Sequence, residues 1–332
     1  MVTITDIAVA LGVTPSTVSR ALSGNPRVRE KTRLAVLRKA EEMGYERNIL
    51  ASNLRKGRSN IVGMVLPRIH SEFYSNVTGG VESVLGQAGY GVMICQTLGS
   101  REAETKAVRN LRDNRVAGII ISHAIEDDGP EHLLDIIGDT PIVQFDRVFD
   151  AIPGAKIKCA NFEGAYIATK HLIEAGYRRI GAVAGFMTSE AYALRLEGYK
   201  KALIDAALPY DESIVYLDSV VRETGYEAGI KALEAGCDAL YSSGAFSALG
   251  AIEALKGKGV KIPEEFGIVG TSNEEFTALM TPSMSTLSQH PFEMGEEAAR
   301  AFLQGREDTR VIPMELIIRQ SSNRNLTGSK II

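Results

Sequence analysis

The chain has 332 residues, enough for two or three folding units, and its 45% hydrophobic and 23% charged residues are typical of a soluble globular protein. Its three cysteines are odd in number and widely spaced, which argues against a disulfide framework or a zinc cluster. The opening residues do not have the pattern of a signal peptide, and no apolar run approaches the ~20 residues of a membrane span. We therefore expect a cytoplasmic protein that has no metal, no cofactor and no membrane contact.

Charge is distributed unevenly along the chain. Residues 1–60 hold eleven Lys or Arg against five Asp or Glu, a net charge of +6, whereas the remaining residues carry a net charge of −10. A basic segment of this kind is either a solvated tail or a nucleic-acid-binding module. Apolar residues at helical spacing within it favour the module.

The opening of the chain predicts a short helix followed by a tight turn. Asp6 suits the positive end of the helix dipole, and Ile7, Ala8 and Leu11 recur on one face. Gly12 then ends the helix in a left-handed conformation that a side chain would penalise.

A second helix is expected directly after this turn. Thr14 is a good N-cap, Pro15 occupies the first helical position, and Val18, Ala21 and Leu22 face the core. The exposed face of this helix carries Pro15, Ser16, Thr17, Ser19 and Arg20.

A third helix is expected over residues 29–43, closed by Gly44. Three short helices with this turn indicate a helix-turn-helix domain, the alternative being a small bundle without a DNA role. Ser and Thr hydroxyls can contact base edges or phosphates, and Arg20 can bind guanine bidentately or a phosphate.

Several segments carry a resemblance to a known family. They are TITDIA from Thr3, LGVTPSTVSRAL from Leu11, NPRVREKTRLAVLRKAEEMGY from Asn25, IVGMVLP from Ile61, FDR from Phe145, HLIEAGYRRIG from His171, RLEGYKKAL from Arg195, SALGAIEAL from Ser247 and IVGTSN from Ile268. With these segments the chain resembles the lactose-repressor family of bacterial regulators over nearly its whole length.

The resemblance implies a headpiece over residues 1–47, a hinge over 48–59 and an effector-binding and dimerisation body over 60–332. It also implies a set of DNA-contacting residues, namely Thr5, Thr14, Pro15, Ser16, Thr17, Ser19, Arg20, Asn25, Arg29 and Thr32 in the headpiece and Asn48, Ala51 and Leu54 in the hinge.

The hinge is too short to hold a helix by itself. The resemblance implies that it becomes helical on the operator, where Leu54 wedges between base steps in the minor groove. A plain charged linker is the alternative. Arg47 and Ser52 stand where the family has proline and arginine, so the family's hinge contacts cannot be carried over in full.

From Ile61 onward, short apolar runs alternate with amphipathic segments. This alternation predicts parallel sheets with helices on both faces, and two successive sets predict two subdomains with a ligand cleft between them. We expect an all-α helix-turn-helix headpiece plus an α/β periplasmic-binding-protein-like body of two parallel-sheet, Rossmann-like subdomains. The boundaries expected are about 60–158 and 289–312 for the N-subdomain, and about 159–288 and 313–322 for the C-subdomain. The last helix, near 292–303, is expected to cross back to the first subdomain.

No phosphate-binding glycine motif and no catalytic constellation stands out, so we expect no enzyme activity. A periplasmic-type solute-binding protein would share the body but would carry a signal peptide in place of the headpiece. The five histidines are scattered, and we interpret each as a surface or packing residue.

The resemblance also implies an effector pocket in the cleft. Its expected residues are Phe73, Tyr74, Asp146, Arg195, Phe246, Asn273 and Gln289. Three alternatives stay open: core packing for the first two aromatic residues, an ion pair with Arg147 for Asp146, and a structural salt bridge for Arg195.

One departure affects the expected ligand. Ala245 stands where sugar-sensing relatives carry an aspartate that accepts hydrogen bonds from hydroxyl groups. Ser242, Ser243 or Glu190 could substitute for it, or the ligand could be an acidic or phosphorylated sugar derivative. The resemblance further implies a homodimeric repressor on a pseudo-palindromic double-stranded DNA operator, with a small-molecule effector that acts as inducer or co-repressor.

Overall fold

The computed structural model describes residues 2–45, 59–124 and 129–324, and the chain divides into two compact units, Met1–Ser59 and Asn60–Ile332. Within the described residues, no helix is both long enough and apolar enough to cross a bilayer.

The smaller unit is a three-helix domain, as the sequence predicts. Its helices are α1 (Ile4–Leu11), α2 (Pro15–Leu22) and α3 (Glu30–Glu42). A capping box starts α1, where the Asp6 backbone N–H donates to Thr3 Oγ1 (3.3 Å) and the Thr3 N–H donates to the Asp6 carboxylate (2.8 Å). Gly12 ends α1 at φ 66°, the left-handed conformation expected of it.

A small apolar core holds these helices together. Its buried residues are Ile7, Ala8, Val18, Ala21, Val36 and Ala40. Leu34 and Leu37 on α3 are 45% and 43% exposed, because the helix turns Val36 and Ala40 inward.

The larger unit contains two six-stranded sheets within the described residues. The strands are β1 (Ile61–Leu66), β2 (Gly91–Gln96), β3 (Gly118–Ile121), β4 (Ile142–Phe145), β5 (Ala155–Cys159), β6 (Ile180–Val183), β7 (Val215–Tyr216), β8 (Ala239–Ser242), β9 (Gly267–Thr271), β10 (Ser285–Ser288), β11 (Thr309–Ile312) and β12 (Glu315–Ile317). The first sheet has the order β11-β5-β4-β3-β1-β2 and the second β12-β10-β9-β8-β6-β7. All pairs are parallel except β10 with β12, which confirms the predicted architecture.

Helices connect the strands and cover the sheets. They are α4 (Glu72–Gln87), α5 (Arg101–Asp113), α6 (Glu131–Ile137), α7 (Asn161–Glu174), α8 (Glu190–Asp205), α9 (Arg222–Glu234), α10 (Ala245–Gly257), α11 (Phe276–Leu279) and α12 (Pro291–Gln304), with short 3₁₀ turns at Glu212–Ile214 and Gln320–Ser322. The last helix, α12, packs against α4 and the first sheet, which confirms the predicted return to the first subdomain. The two helices approach closely at Gly80, where a Cβ atom would lie 2.1 Å from the Phe292 carbonyl oxygen.

The chain passes between the two sheets three times, after β5, after β10 and after β11. We call the part built on the first sheet the first lobe and the part built on the second sheet the second lobe. Ligands of parallel sheets bind at the carboxyl ends of the strands. Both lobes can therefore supply residues to one shared cleft.

Candidate functional site

The N-terminus of α2 carries a cluster of hydroxyl groups. Thr14 Oγ1 accepts a hydrogen bond from the Thr17 N–H (3.2 Å) and lies 2.9 Å from both Ser16 Oγ and Thr17 Oγ1. Pro15 occupies the first turn, where its missing N–H costs nothing. Pro15, Ser16 and Arg20 are exposed, and Thr17 and Ser19 are half-buried. This face of α2 therefore presents small polar groups and one guanidinium to the solvent.

The other predicted DNA-contacting residues lie elsewhere on the same domain. Thr5 is exposed on α1, Arg29 is exposed at the start of α3, and Thr32 is half-buried one turn later. Asn25 Oδ1 accepts a hydrogen bond from the Arg27 N–H (3.0 Å), which shapes the loop between α2 and α3. The hinge residues Asn48, Ala51 and Leu54 lie outside the described residues.

A cleft of about 140 Å³ lies between the two lobes of the larger unit. Six of the seven predicted effector residues line it, namely Phe73, Tyr74, Asp146, Arg195, Phe246 and Gln289. The seventh, Asn273, lines an adjoining cavity of about 520 Å³. Its Oδ1 atom accepts a hydrogen bond from Arg319 Nη2 (2.7 Å), so this amide oxygen is already bonded within the protein.

Asp146 follows β4 in a left-handed conformation, with φ 60°. Its carboxylate accepts hydrogen bonds from the Tyr74 hydroxyl (2.9 Å) and from Ser122 Oγ (3.4 Å). Burial raises the pKa of Tyr74, so this phenol remains a donor. Arg147, the alternative partner, instead donates from Nη1 to the His123 carbonyl oxygen (3.3 Å).

Arg195 is 5% exposed and is held by polar groups of its own lobe. Nε donates to Asn161 Oδ1 (2.8 Å), Nη1 donates to the Ser243 carbonyl oxygen (2.9 Å), and the guanidinium lies 5.4 Å from the centre of the Tyr192 ring. No carboxylate of a described residue pairs with it, so the structural salt bridge considered above is not what holds it. Its second terminal nitrogen, Nη2, makes no hydrogen bond to any described residue, which leaves that donor for a ligand.

The aromatic residues of the cleft differ in their surroundings. Phe73 and Tyr74 are 7% and 6% exposed and contact each other edge to face (5.0 Å between centroids), so they belong to the core as well as to the cleft. Phe246 is 45% exposed and lies 5.1 Å from the Phe276 ring. An exposed aromatic face of this kind suits an apolar ligand surface.

Two of the three candidates for the missing aspartate are engaged in other contacts. The Glu190 carboxylate pairs with Lys158 Nζ (2.7 Å), and Ser242 Oγ donates to the Gly244 carbonyl oxygen (3.0 Å). Ser243 lines the cleft, and its carbonyl oxygen binds Arg195.

Sequence reasoning missed several cleft residues. They are Arg147, Tyr192, Thr271, Ser272 and Glu274. The rule that ligands bind at the carboxyl ends of strands could have found three of them, since Arg147 lies just after β4, Thr271 ends β9 and Ser272 follows it.

A buried charge network lies beside the cleft. His123 Nδ1 is 2.6 Å from Glu104 Oε1, and His123 Nε2 is 3.0 Å from Gln144 Oε1. Gln144 is oriented by its own bonds, because Oε1 accepts from the Phe149 N–H (2.8 Å) and Nε2 donates to the Ile152 carbonyl oxygen (3.0 Å). Both ring nitrogens of His123 therefore face acceptors, which requires a doubly protonated, positively charged imidazole.

We expect Glu104→Gln to destabilise the protein by about 3 kcal/mol, because it leaves the buried His123 charge without a counter-charge. Burial alone would raise the pKa of Glu104, but the hydrogen bond from His123, the nearby His132 ring (3.9 Å from Nε2 to Glu104 Oε1), the His123 charge and the hydrogen bond from the Ala124 N–H lower it from 4.5 to about 2. A lowered carboxyl pKa contributes stability above about pH 4.5 and loses it as the pH falls towards 2.

Urea unfolding of the wild type and of Glu104→Gln at a series of pH values checks this prediction. The stability difference should shrink as the pH falls from about 4.5 towards 2. Glu102→Gln removes an exposed carboxylate from the same helix and serves as the control. Equal stability of the wild type and Glu104→Gln at neutral pH would show that the network carries no such charge pair.

The fold and these two surfaces define a class: a helix-turn-helix domain joined to a two-lobed α/β receptor. Residues 3–48 match the family described as bacterial regulatory proteins, lacI family, and residues 169–322 match the periplasmic binding protein-like domain. Within the described residues, no group of three or more His, Cys, Asp or Glu is arranged to hold a metal ion.

Relatives match over almost the whole chain. The transcriptional repressor PurR of Vibrio atlanticus (strain LGP32) is 30% identical over 310 residues, 93% of each chain. The transcriptional regulator DegA of Bacillus subtilis (strain 168) is 29% identical over 97% of this chain and 98% of its own. The chain therefore belongs to the lacI family of bacterial regulatory proteins and is a DNA-binding transcriptional regulator.

Solved structures show the same fold. A lac repressor dimer bound to operator and the anti-inducer ONPF superposes with a TM-score of 0.84 at 24% identity, over 97% of this chain and 99% of its own. The complex of the transcriptional regulator CelR with cellobiose superposes with a TM-score of 0.73 at 27% identity, over 97% of this chain and 100% of its own.

Proposed function

We propose that this protein is a repressor whose affinity for an operator is controlled by a small molecule in the interlobe cleft. The observation that carries the proposal is the occurrence, in one chain, of an exposed polar face on α2 and a cleft lined by polar groups from two lobes. The Vibrio relative, named a transcriptional repressor, supports the direction of control.

The proposed DNA-binding form is a homodimer on a pseudo-palindromic duplex. The edge strand β2 and the turns beside it expose large apolar side chains, with Met93 41%, Leu98 66% and Ile69 52% exposed. Apolar side chains on an open sheet edge are normally covered, either by another part of the same chain or by a partner chain. Two copies related by a two-fold axis would present two α2 helices to two half-sites in successive major grooves.

The proposed effector couples the lobes to the DNA-binding domains. Tyr74 and Asp146 supply hydrogen-bonding groups from the first lobe, and Arg195 supplies a donor from the second. A ligand that bridges them favours one arrangement of the lobes, and a ~100-fold preference for that arrangement corresponds to about 2.7 kcal/mol.

Operator binding should be steeply salt-dependent, because basic side chains of the headpiece would displace counterions from the phosphates. Duplexes selected by the full chain from a random-sequence library provide the operator. We expect the affinity for a selected duplex to fall by about 10³-fold or more between 50 and 200 mM salt. An unselected duplex of equal length is the control, and equal affinity for both duplexes would contradict sequence-specific binding.

The effector can be sought by thermal shift of the full chain against sugars, sugar acids, phosphorylated sugars and nucleobases, since a cleft ligand stabilises the form that it binds. A hit that also alters the affinity for the selected duplex is an effector. A hit that leaves this affinity unchanged would contradict the proposed coupling.

A further inference from the structure

The cavity beside the cleft is acidic. It measures about 520 Å³ and shares Phe73, Ser272, Glu274 and Gln289 with the cleft. Three carboxylates line it, those of Glu72, Glu274 and Glu293, and none of its described lining residues is Lys or Arg. Its volume lies within the roughly 300–1,000 Å³ range of small-molecule pockets.

Glu274 is the unusual member of this set. The residue is 8% exposed, yet its carboxylate has no hydrogen-bond or ion-pair partner among the residues that the structure describes. Burial raises the pKa of Glu274, and the neighbouring Glu72 carboxylate raises it further. Buried carboxylates are normally paired, because an uncompensated charge in a poorly solvated site is costly. Glu274 therefore offers the cavity an acceptor to which no described residue donates.

Glu72 brings a second carboxylate to the same place from the opposite lobe. It is the first residue of α4 in the first lobe, and its Oε2 atom accepts a hydrogen bond from the Glu275 N–H of the second lobe (2.7 Å). The two acidic side chains thus meet where the lobes meet. A positive charge placed there would interact favourably with both lobes and would offset the repulsion between them.

We propose that this cavity is a subsite for a compact organic cation, and that the effector carries a protonated amine that binds between Glu72 and Glu274. The inference rests on the proposed function, because it assigns a chemical class to the ligand of the interlobe cleft. An ammonium group has three donors and no acceptor, which matches two carboxylates and the side-chain oxygens of Asn76 and Ser288 on the same walls. Phe73 lies at the junction with the cleft, so the rest of the ligand would extend from the amine towards Arg195.

The proposal can be tested with ethanolammonium chloride as the probe and sodium chloride at equal concentration as the reference. We expect the amine to raise the Tm of the full-length wild type by about 2 °C or more over the reference. Glu274→Gln should abolish this difference, whereas Glu234→Gln, which removes an exposed carboxylate on α9, should keep it. An equal shift in all three proteins, or no shift in the wild type, would overturn the proposal.

A second measurement guards against a purely structural role for Glu274. Without amine, Glu274→Gln should raise the Tm by about 2 °C, because it removes a charge that has no partner and faces Glu72. A lower Tm would show that the Glu274 carboxylate stabilises the fold and would contradict its role as a ligand-binding group. Failure of the amine subsite would leave the proposed function intact, because that function fails only if no cleft ligand alters DNA binding.

Discussion

Arg20→Ala should weaken binding of the selected duplex by about 30-fold or more. A good arginine contact to a base contributes about 1–3 kcal/mol, and a dimer makes the contact twice, so the expected loss is about 2 kcal/mol at least. Arg20 is exposed on α2 and makes no ion pair with a described residue. The substitution should therefore leave the Tm and the dimer unchanged.

Arg38→Ala is the matched control, because it removes the same charge from an exposed position of α3. We expect Arg38→Ala to reduce the affinity far less than Arg20→Ala at equal salt. If both variants lose affinity to the same extent, or if neither variant loses affinity, α2 does not read the duplex.

Arg195→Lys should lower the affinity for the effector by about 10- to 100-fold while DNA binding without effector stays unchanged. Lysine keeps the charge but lacks the planar fork that lets Arg195 bind Asn161 and Ser243 while still offering Nη2 to a ligand. A lost hydrogen bond to a charged group corresponds to about 1.5–3 kcal/mol. Lysine is preferable to alanine here, because alanine would leave the Asn161 and Ser243 oxygens buried without a donor.

The measurement is a titration of the effector found by thermal shift, with the selected duplex as the reporter. Arg222→Lys makes the same substitution at an exposed residue of the second lobe, paired with Glu253, and should behave as the wild type. A full effector response in Arg195→Lys would show that Arg195 does not contact the ligand.

Much of the fold could be predicted because its signals are local. A threonine cap followed by proline and a glycine in the left-handed conformation delimit α1 and α2 within the sequence itself. The buried runs that form β1, β3, β8 and β9 are nearly continuous in hydrophobic character, as strands of parallel sheets are.

The late strands β10, β11 and β12 could not be recognised from the same signals. β10 has the sequence STLS, and three of the four residues of β11 are exposed, so neither shows an apolar run. β12 is three residues long and pairs antiparallel at the edge of its sheet. Their positions depend on the three passages between lobes, which are a property of the tertiary structure.

The cleft residues illustrate the same division. Arg195 could be proposed from its segment, but the groups that orient it come from positions 34 and 48 residues away. Glu274 follows β9 in a segment whose polar letters, SNEE, read as an exposed loop, and only the fold shows that its carboxylate is buried beside Glu72. Burial of a polar group by distant segments leaves no trace in local sequence patterns.

Footprinting of the selected duplex tests most directly whether α2 of a two-fold dimer reads DNA. Hydroxyl-radical cleavage in the presence of the full chain should show two protected regions, related by symmetry and centred about one helical turn or a multiple of it apart. At a protein concentration near the wild-type Kd, both regions should vanish together in Arg20→Ala and persist in Arg38→Ala. A single asymmetric region, or protection that survives in Arg20→Ala, would contradict the account.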